Sequence, residues 1–267
     1  MVTYMEKNII NENLIQYRIL EKLDRVSYYT SAYLYHDEGV GILLDSGYYD
    51  MGVFIKEDIE NMGIDLKYII ISHYHKDHAQ GAIAFDTPII GSDKYEANYR
   101  KCNDNYSKKY RKPNIEVKDK YSITINTSRV EIYKTPGHTP CGLSVFINHE
   151  YLYVSDNLLE DTEHHIIVPY LDVSSNPYDH YKTMLLYDEL SPIHLIFTHG
   201  PVKFNADLNY EFSERIYYLE KLIKSDFSID INECLIRDKK NYAMTAIHKI
   251  NQRNAKKYVS AQPTSFF

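Results

Sequence analysis

The chain has 267 residues, 44% hydrophobic and 25% charged, with a net charge of −7. That composition excludes a disordered or collagen-like chain, and the acidic balance argues against general nucleic-acid binding. No apolar run approaches the ~18 residues of a membrane span. MVTYMEKNIINENL does not read as a secretory leader, and three scattered cysteines (Cys102, Cys141, Cys234) form no disulfide framework. A cytoplasmic protein without membrane contact is therefore expected.

In chain order, Ser27–Leu34 and Gly39–Leu44 read as strands joined by the polar turn His36-Asp37-Glu38-Gly39. Gly52–Met62 is expected to be a helix, with Ile55, Ile59 and Met62 at helical spacing. The β-branched run Lys67–Ser72 is a buried strand. Ser92–Cys102 reads as a helix capped by Ser92, followed by a polar, basic, tyrosine-bearing surface loop. Tyr121–Asn126 pairs with Arg129–Lys134, and Leu143–Asn148 pairs with Glu150–Ser155. Asn176 followed by Pro177 opens a helix that runs to about Leu190. Ile193–Thr198 is the next strand. The last third turns helical: Phe212, Ile216, Leu219 and Ile223 share one face, and Ala243, Ile247 and Ile250 mark another helix. Strands mixed with helices throughout predict an α/β layered sandwich.

Chemistry concentrates in His73-Tyr74-His75-Lys76-Asp77-His78, directly after the strand Lys67–Ser72. In an extended chain His73 and His75 point the same way, because side chains alternate. Imidazole nitrogen and carboxylate oxygen are both ligands for zinc and similar ions. Roughly 0.002 accidental matches to such a cluster are expected in a chain of this composition. Other ligand types stand where further strands end: His138 in Thr135-Pro136-Gly137-His138, Asp156 after Ser155, His199 in His199-Gly200-Pro201, and Asp45 in Asp45-Ser46-Gly47. Strand ends are the usual place for sites in layered α/β folds.

As an ordered set, LLDSG, SHYHKDH, TPGHTP, YVSDN and FTHGP resemble the metallo-β-lactamase superfamily over roughly Tyr28 to Pro201. The resemblance implies a four-layer αββα sandwich with metal ions at one edge. It implies a catalytic domain over 1–205 and a helical C-terminal extension, 206–267, packed on the same domain. His73, His75 and His138 would hold one divalent ion. Asp77, His78 and His199 would hold the second, and Asp156 would bridge them. Zinc is the leading ion, with iron and manganese as alternatives. Asp77 is also the expected catalytic residue, orienting the nucleophile or accepting a proton. Asp45 would orient a ligand or its loop, or serve simply as a turn aspartate.

The implied reaction is hydrolysis by a metal-activated hydroxide. Departures narrow the substrate. His78 after Asp77 separates the chain from antibiotic-degrading subclasses with Arg or Cys there. His75 in place of Glu separates it from flavo-diiron relatives. The acyl-homoserine lactonase type has a tyrosine shortly after the bridging aspartate, where this chain has Asn157-Leu158-Leu159. The layout of His164-His165, Pro169, Asn176-Pro177-Tyr178 and His199-Gly200-Pro201 favours a glyoxalase II-like branch acting on a small thioester, ester or lactone, with His165 as a substrate contact.

Two other activities are carried: a phosphodiesterase or nuclease, and a mononuclear iron persulfide dioxygenase. The basic stretch Lys94–Lys112 could clamp an anionic tail, or be a solvated loop. The terminal helices could cover the site mouth, form a homodimer surface, or close the core.

Overall fold

The computed structural model describes residues 4–99 and 110–261. One seven-stranded sheet follows chain order: β1 (Met5–Ile9), β2 (Leu14–Leu23), β3 (Val26–Asp37), β4 (Val40–Leu44), β5 (Asp65–Ile70), β6 (Ile89–Ser92) and β7 (Ile115–Val117). It is antiparallel up to β4 and parallel beyond it. The second sheet has an antiparallel run of β8 (Lys120–Ile125), β9 (Ser128–Lys134), β10 (Leu143–Ile147) and β11 (Tyr151–Ser155). β14 (His194–Phe197) then lies parallel to β11, and β15 (Val202–Lys203) closes the edge. A small third sheet joins β12 (Leu159–Glu160), β13 (Ile166–Ile167) and β16 (Tyr242–Ala243).

The two large sheets stack because their strands are apolar on both faces. In β4, Ile42 and Leu44 turn inward to meet Val145, Tyr153 and Ile196 of the second sheet, while Leu43 joins the outer cluster. In β11 the same alternation sends Tyr153 inward and Leu152 and Val154 outward. Side chains of period two thus need a helical cover on each outer side. Helix α1 (Tyr49–Met62) covers the first sheet with Met51, Ile55 and Ile59. Helices α4 (Pro177–Leu190) and α5 (Leu208–Lys224) cover the second with Met184, Tyr187, Phe212 and Leu219, and Ala255 of α6 (Ile247–Ser260) joins that cluster. The result is the four-layer αββα sandwich. Tyrosine supplies both bulk and polar ties between the sheets: the buried Tyr33 hydroxyl donates to the Phe197 carbonyl at 2.6 Å.

Several local expectations change. Ser92 ends strand β6 rather than capping a long helix, and only the short α3 (Glu96–Tyr99) follows among the described residues. Ala243 belongs to β16, paired in parallel with Ile167, and α6 begins at Ile247. Cys141 is buried just before β10. Asn176 caps α4 as expected, its side chain accepting from the Tyr178 N–H. No helix among the described residues is long and apolar enough to cross a membrane.

Candidate metal centre

The cluster of histidines begins where β5 runs out. His73 and His75 lie in extended chain, and the backbone then turns into α2 (Lys76–Ala79), which places Asp77 and His78 one turn further on. This short turn is held from the side. The Ser46 N–H donates to the His78 carbonyl at 2.8 Å, and the Gly81 N–H to the Gly47 carbonyl at 2.8 Å. A Cβ on Gly81 would lie 2.1 Å from the Ser46 carbonyl oxygen, so only glycine permits that approach. His138 follows β9, Asp156 follows the bulged end of β11, and His199 follows β14. All seven side chains therefore arrive at one end of the sandwich.

There they form two groups whose ligand atoms lie within 4.8 Å of one another: His73, His75, His138 and Asp156, and Asp77, His78 and His199. In the first, Nε2 of His73 and Nε2 of His138 approach Nδ1 of His75 at 2.9 and 3.2 Å. Oδ2 of Asp156 lies 3.5 Å from His138 Nε2 and 3.9 Å from His73 Nε2. Its other oxygen, Oδ1, lies 3.2 Å from His78 Nε2 and 3.5 Å from His199 Nε2. Oδ2 of Asp77 is 3.5 Å from His78 Nε2 and 3.3 Å from His199 Nε2. Asp156 thus turns one oxygen to each group.

The opposite ring nitrogens are tied down. His138 Nδ1 donates to the Tyr170 carbonyl at 2.9 Å, His199 Nδ1 to the Tyr29 carbonyl at 2.8 Å, and His78 Nδ1 to Asp45 Oδ2 at 2.6 Å. With Nδ1 committed to these acceptors, each ring turns Nε2 toward the other ligand atoms, the nitrogen through which it would bind a metal ion. Asp45 is itself fully buried. It accepts from the Ser72 N–H at 2.7 Å, the Ser72 hydroxyl at 2.6 Å and the Tyr153 hydroxyl at 2.5 Å. It touches the turn that carries the histidines and one of the rings, which is how a carboxylate orients a ligand from behind.

The donor set passes a simple test for cations. His78 Nε2 and Asp156 Oδ1 are buried and have no hydrogen-bond partner among the described residues. Two buried acceptors facing each other at 3.2 Å are costly unless a positive charge lies between them. Electrostatics agree. Burial lowers the basicity of His73 and His138, the latter to about 4, so both stay neutral. Burial opposes ionisation of Asp77 and Asp156, yet the neighbouring His78 and His199 hold both carboxyls well below their usual range. Burial likewise works against charge on His78 and His199, but the surrounding carboxylates raise both well above the usual histidine value, so a positive charge is favoured at their Nε2 atoms, whether a proton or a metal ion in its place. Each group can hold one divalent ion, three imidazoles and a carboxylate oxygen on one side, two imidazoles and two carboxylate oxygens on the other.

The site opens into a cavity of about 310 Å³. His75, Asp77, His138, Asp156 and His199 line its floor. Leu23, Leu159, Ile167, Met244, Ile247 and Ile250, with Tyr28 and Tyr170, make up the rest of its lining. No lysine or arginine is among these residues. Sequence reasoning missed this wall, since scattered Leu, Ile and Met carry no motif. It also missed Asp172, whose Oδ2 lies 3.9 Å from His75 Nε2.

His165 is not brought to the cavity. Its Nδ1 meets Asp161 Oδ2 at 2.9 Å, outside the lining residues. The described part of the basic stretch is also turned elsewhere: Arg111 donates to the carbonyls of Phe85 and Thr87 at 2.6 and 2.9 Å, and Tyr95 and Tyr110 are buried in the outer cluster of the first sheet. Arg100, Lys101, Lys108 and Lys109 lie outside the described residues.

Comparison with known proteins agrees with the geometry. An N-acyl homoserine lactonase from Bacillus sp is 41% identical over 88 residues, 32% of this chain and 34% of the relative. One from Bacillus thuringiensis is 40% identical over the same length. The match thus spans about a third of these curated relatives. They are of the type that the missing tyrosine argued against, and the glyoxalase II-like branch gains no support. Among solved structures, a metallo-beta-lactamase from Pontibacter korlensis superposes with a TM-score of 0.64 at 13% identity, covering 79% of this chain and 98% of that one. The metallo-beta-lactamase of Pseudomonas aeruginosa in its mono-zinc form gives 0.63 at 12%, covering 81% and 95%. These likenesses establish the fold. Residues 27–199 match the sequence profile of one family, and with it the chain belongs to the metallo-beta-lactamase superfamily.

Proposed function

We propose that this protein is a hydrolase dependent on two divalent ions, zinc in the first place, which cleaves a small lactone or ester bearing an apolar tail. His73, His75 and His138 would hold one ion, Asp77, His78 and His199 the other, and Asp156 both. When bound, the ions supply hydroxide at neutral pH and a counter-charge for the oxygen that becomes negative. Asp77, partly exposed to the cavity, is placed to orient the attacking water. Asp45 keeps the His78 ring in its ligating tautomer.

One observation carries the substrate class: a floor of ligand side chains beneath a wall of Leu23, Leu159, Ile167, Met244, Ile247 and Ile250. Such a wall removes an acyl chain from water while the polar floor receives the ester. A phosphodiester, which needs cationic contacts, finds none among the described residues of that lining. The curated lactonase relatives support an acylated lactone as the first substrate to try. Residues 206–267 act, on this reading, as part of the catalytic unit, because α6 and the segment before it supply Met244, Ile247 and Ile250.

The test is ring opening by the zinc-loaded protein. Purified protein carrying two zinc ions per chain should open N-acyl lactones and cleave acyl esters, measured by proton release, and a chelator should stop it. Two bound ions with no turnover of any lactone, ester or thioester would end the reading.

A further inference from the structure

Apart from the His/Asp clusters, the described residues of the cavity lining include two side chains able to donate a hydrogen bond, Tyr28 and Tyr170. They stand beside different ligand groups. The Tyr28 ring meets His199 edge to face with centroids 5.4 Å apart, and the Tyr170 ring lies 5.1 Å from His138. Their hydroxyls answer to different neighbours. The charges acting on Tyr28 are those of Glu21 and of the floor carboxylates Asp77 and Asp156. Those acting on Tyr170 are Asp172 and Arg253, away from the bridging aspartate. Tyr28 thus lines the cavity beside His199, on the side of the second ligand group.

That hydroxyl has no hydrogen-bond partner among the described residues. The contrast with neighbouring hydroxyls is informative: Thr30, two residues on, donates to Glu21, and Tyr48, just before α1, donates to the other oxygen of Glu21 at 3.0 Å. Glu21 is the antiparallel partner of Tyr28 across the β2–β3 pair, yet it is committed to Thr30 and Tyr48. Tyr28, which lines the cavity, thus keeps a donor that no described residue uses. Burial and the nearby carboxylates push it up to about 12, so it keeps its proton at neutral pH.

We propose that Tyr28 is a catalytic residue of this chain: its hydroxyl donates a hydrogen bond to the oxygen of the scissile ester or lactone group that gains negative charge, beside Asp77 and His199. No proton changes hands in this role, so the tyrosine is neutral before and after. The floor's acceptors cannot do this work. Carboxylates repel a developing oxyanion, and the His199 N–H is spent on the Tyr29 carbonyl. An unpartnered donor in a cavity with an apolar wall is held ready without reorganisation, which is where such a bond contributes most. The proposal rests on the hydrolase reading above, and the test separates the two.

Tyr28→Phe removes one oxygen atom and leaves the ring on His199. Wild type and Tyr28→Phe would be loaded with zinc, with metal content and thermal midpoint measured first. On an acyl lactone, Tyr28→Phe should lose about 10- to 100-fold in kcat with KM changed less than about threefold. Binding of hexanoate, a carboxylate with an apolar tail, would be measured by calorimetry on the same proteins without turnover. Tyr28→Phe should weaken it about fivefold or more, as expected for a lost hydrogen bond to a charged group. Undiminished kcat in Tyr28→Phe with equal zinc content overturns the proposal. If the wild type turns nothing over, the hydrolase reading fails, and hexanoate affinity equal in wild type and Tyr28→Phe then overturns the role of Tyr28 as well.

Discussion

The floor and the wall of the cavity are built on opposite principles. The ligand side chains come from strand ends between Ile70 and His199, and three of the rings are fixed by partners behind them: Asp45 behind His78, backbone carbonyls behind His138 and His199. The wall is largely apolar and draws Met244, Ile247 and Ile250 from the last stretch of the chain, where no such constraint operates. The floor needs particular atoms at particular distances. The wall needs only apolar surface of about the right volume. Chemistry should therefore be sensitive to single atoms on the floor, and substrate choice to bulk in the wall.

The largest effect should come from the carboxylate shared by both ligand groups. Asp156→Ala removes a ligand from each, and zinc content by emission spectrometry should fall below one ion per chain, with activity down roughly 1000-fold or more. Two retained ions would break the shared-carboxylate picture. Next comes Asp45→Asn, which touches no ion. Losing the acceptor behind His78 should cost about 10- to 100-fold in metal affinity or kcat, as measured for such outer partners elsewhere. An unchanged zinc titration would mean the ring is oriented by packing alone.

The wall should respond differently. Ile247→Ala removes three carbons, and buried methylenes contribute about 0.8 kcal/mol each. A six-carbon acyl lactone should lose about tenfold or more in kcat/KM, while an acetyl ester should change less than about twofold. Equal losses on both would show that Ile247 shapes the floor instead.

The smallest effect separates a structural histidine from the ligating ones. His180 is fully buried, and burial lowers it to about 3. A group whose folded value lies below its unfolded value of about 6.5 adds stability above that pH, and the contribution is lost as pH falls toward 3. His180→Gln should flatten the acid limb of the denaturation profile between about pH 6.5 and 3, with zinc content unchanged.

Much of the floor could be read before any coordinates. His73, His75, Asp77 and His78 are local in sequence, and His138, Asp156 and His199 each follow a recognisable strand. The buried run Lys67–Ser72, which overlaps β5, and the cap at Asn176 were equally legible, because β-branched runs and cap chemistry are local signals. Ala243 misled, because its apolar spacing with Ile247 fits a helix, while pairing with Ile167 draws it into a strand. Ser92 misled similarly: a serine before polar residues resembles a cap, but β6 is held between β5 and β7 by partners far away in the chain. His165 carried the right residue type and the wrong direction, since Asp161, four residues back, captures its ring.

The sequence by itself determined the layered α/β class, the strand-end positions of the ligand side chains and the family to which they point, because those properties are set by short-range periodicity and residue chemistry. Only the tertiary structure decided which oxygen of Asp156 faces which histidines, which ring nitrogens are tied to partners, that Tyr28 is left without a partner among the described residues, and that Met244, Ile247 and Ile250 wall the cavity. Those depend on packing between segments tens to more than a hundred residues apart, and no local pattern encodes such distances.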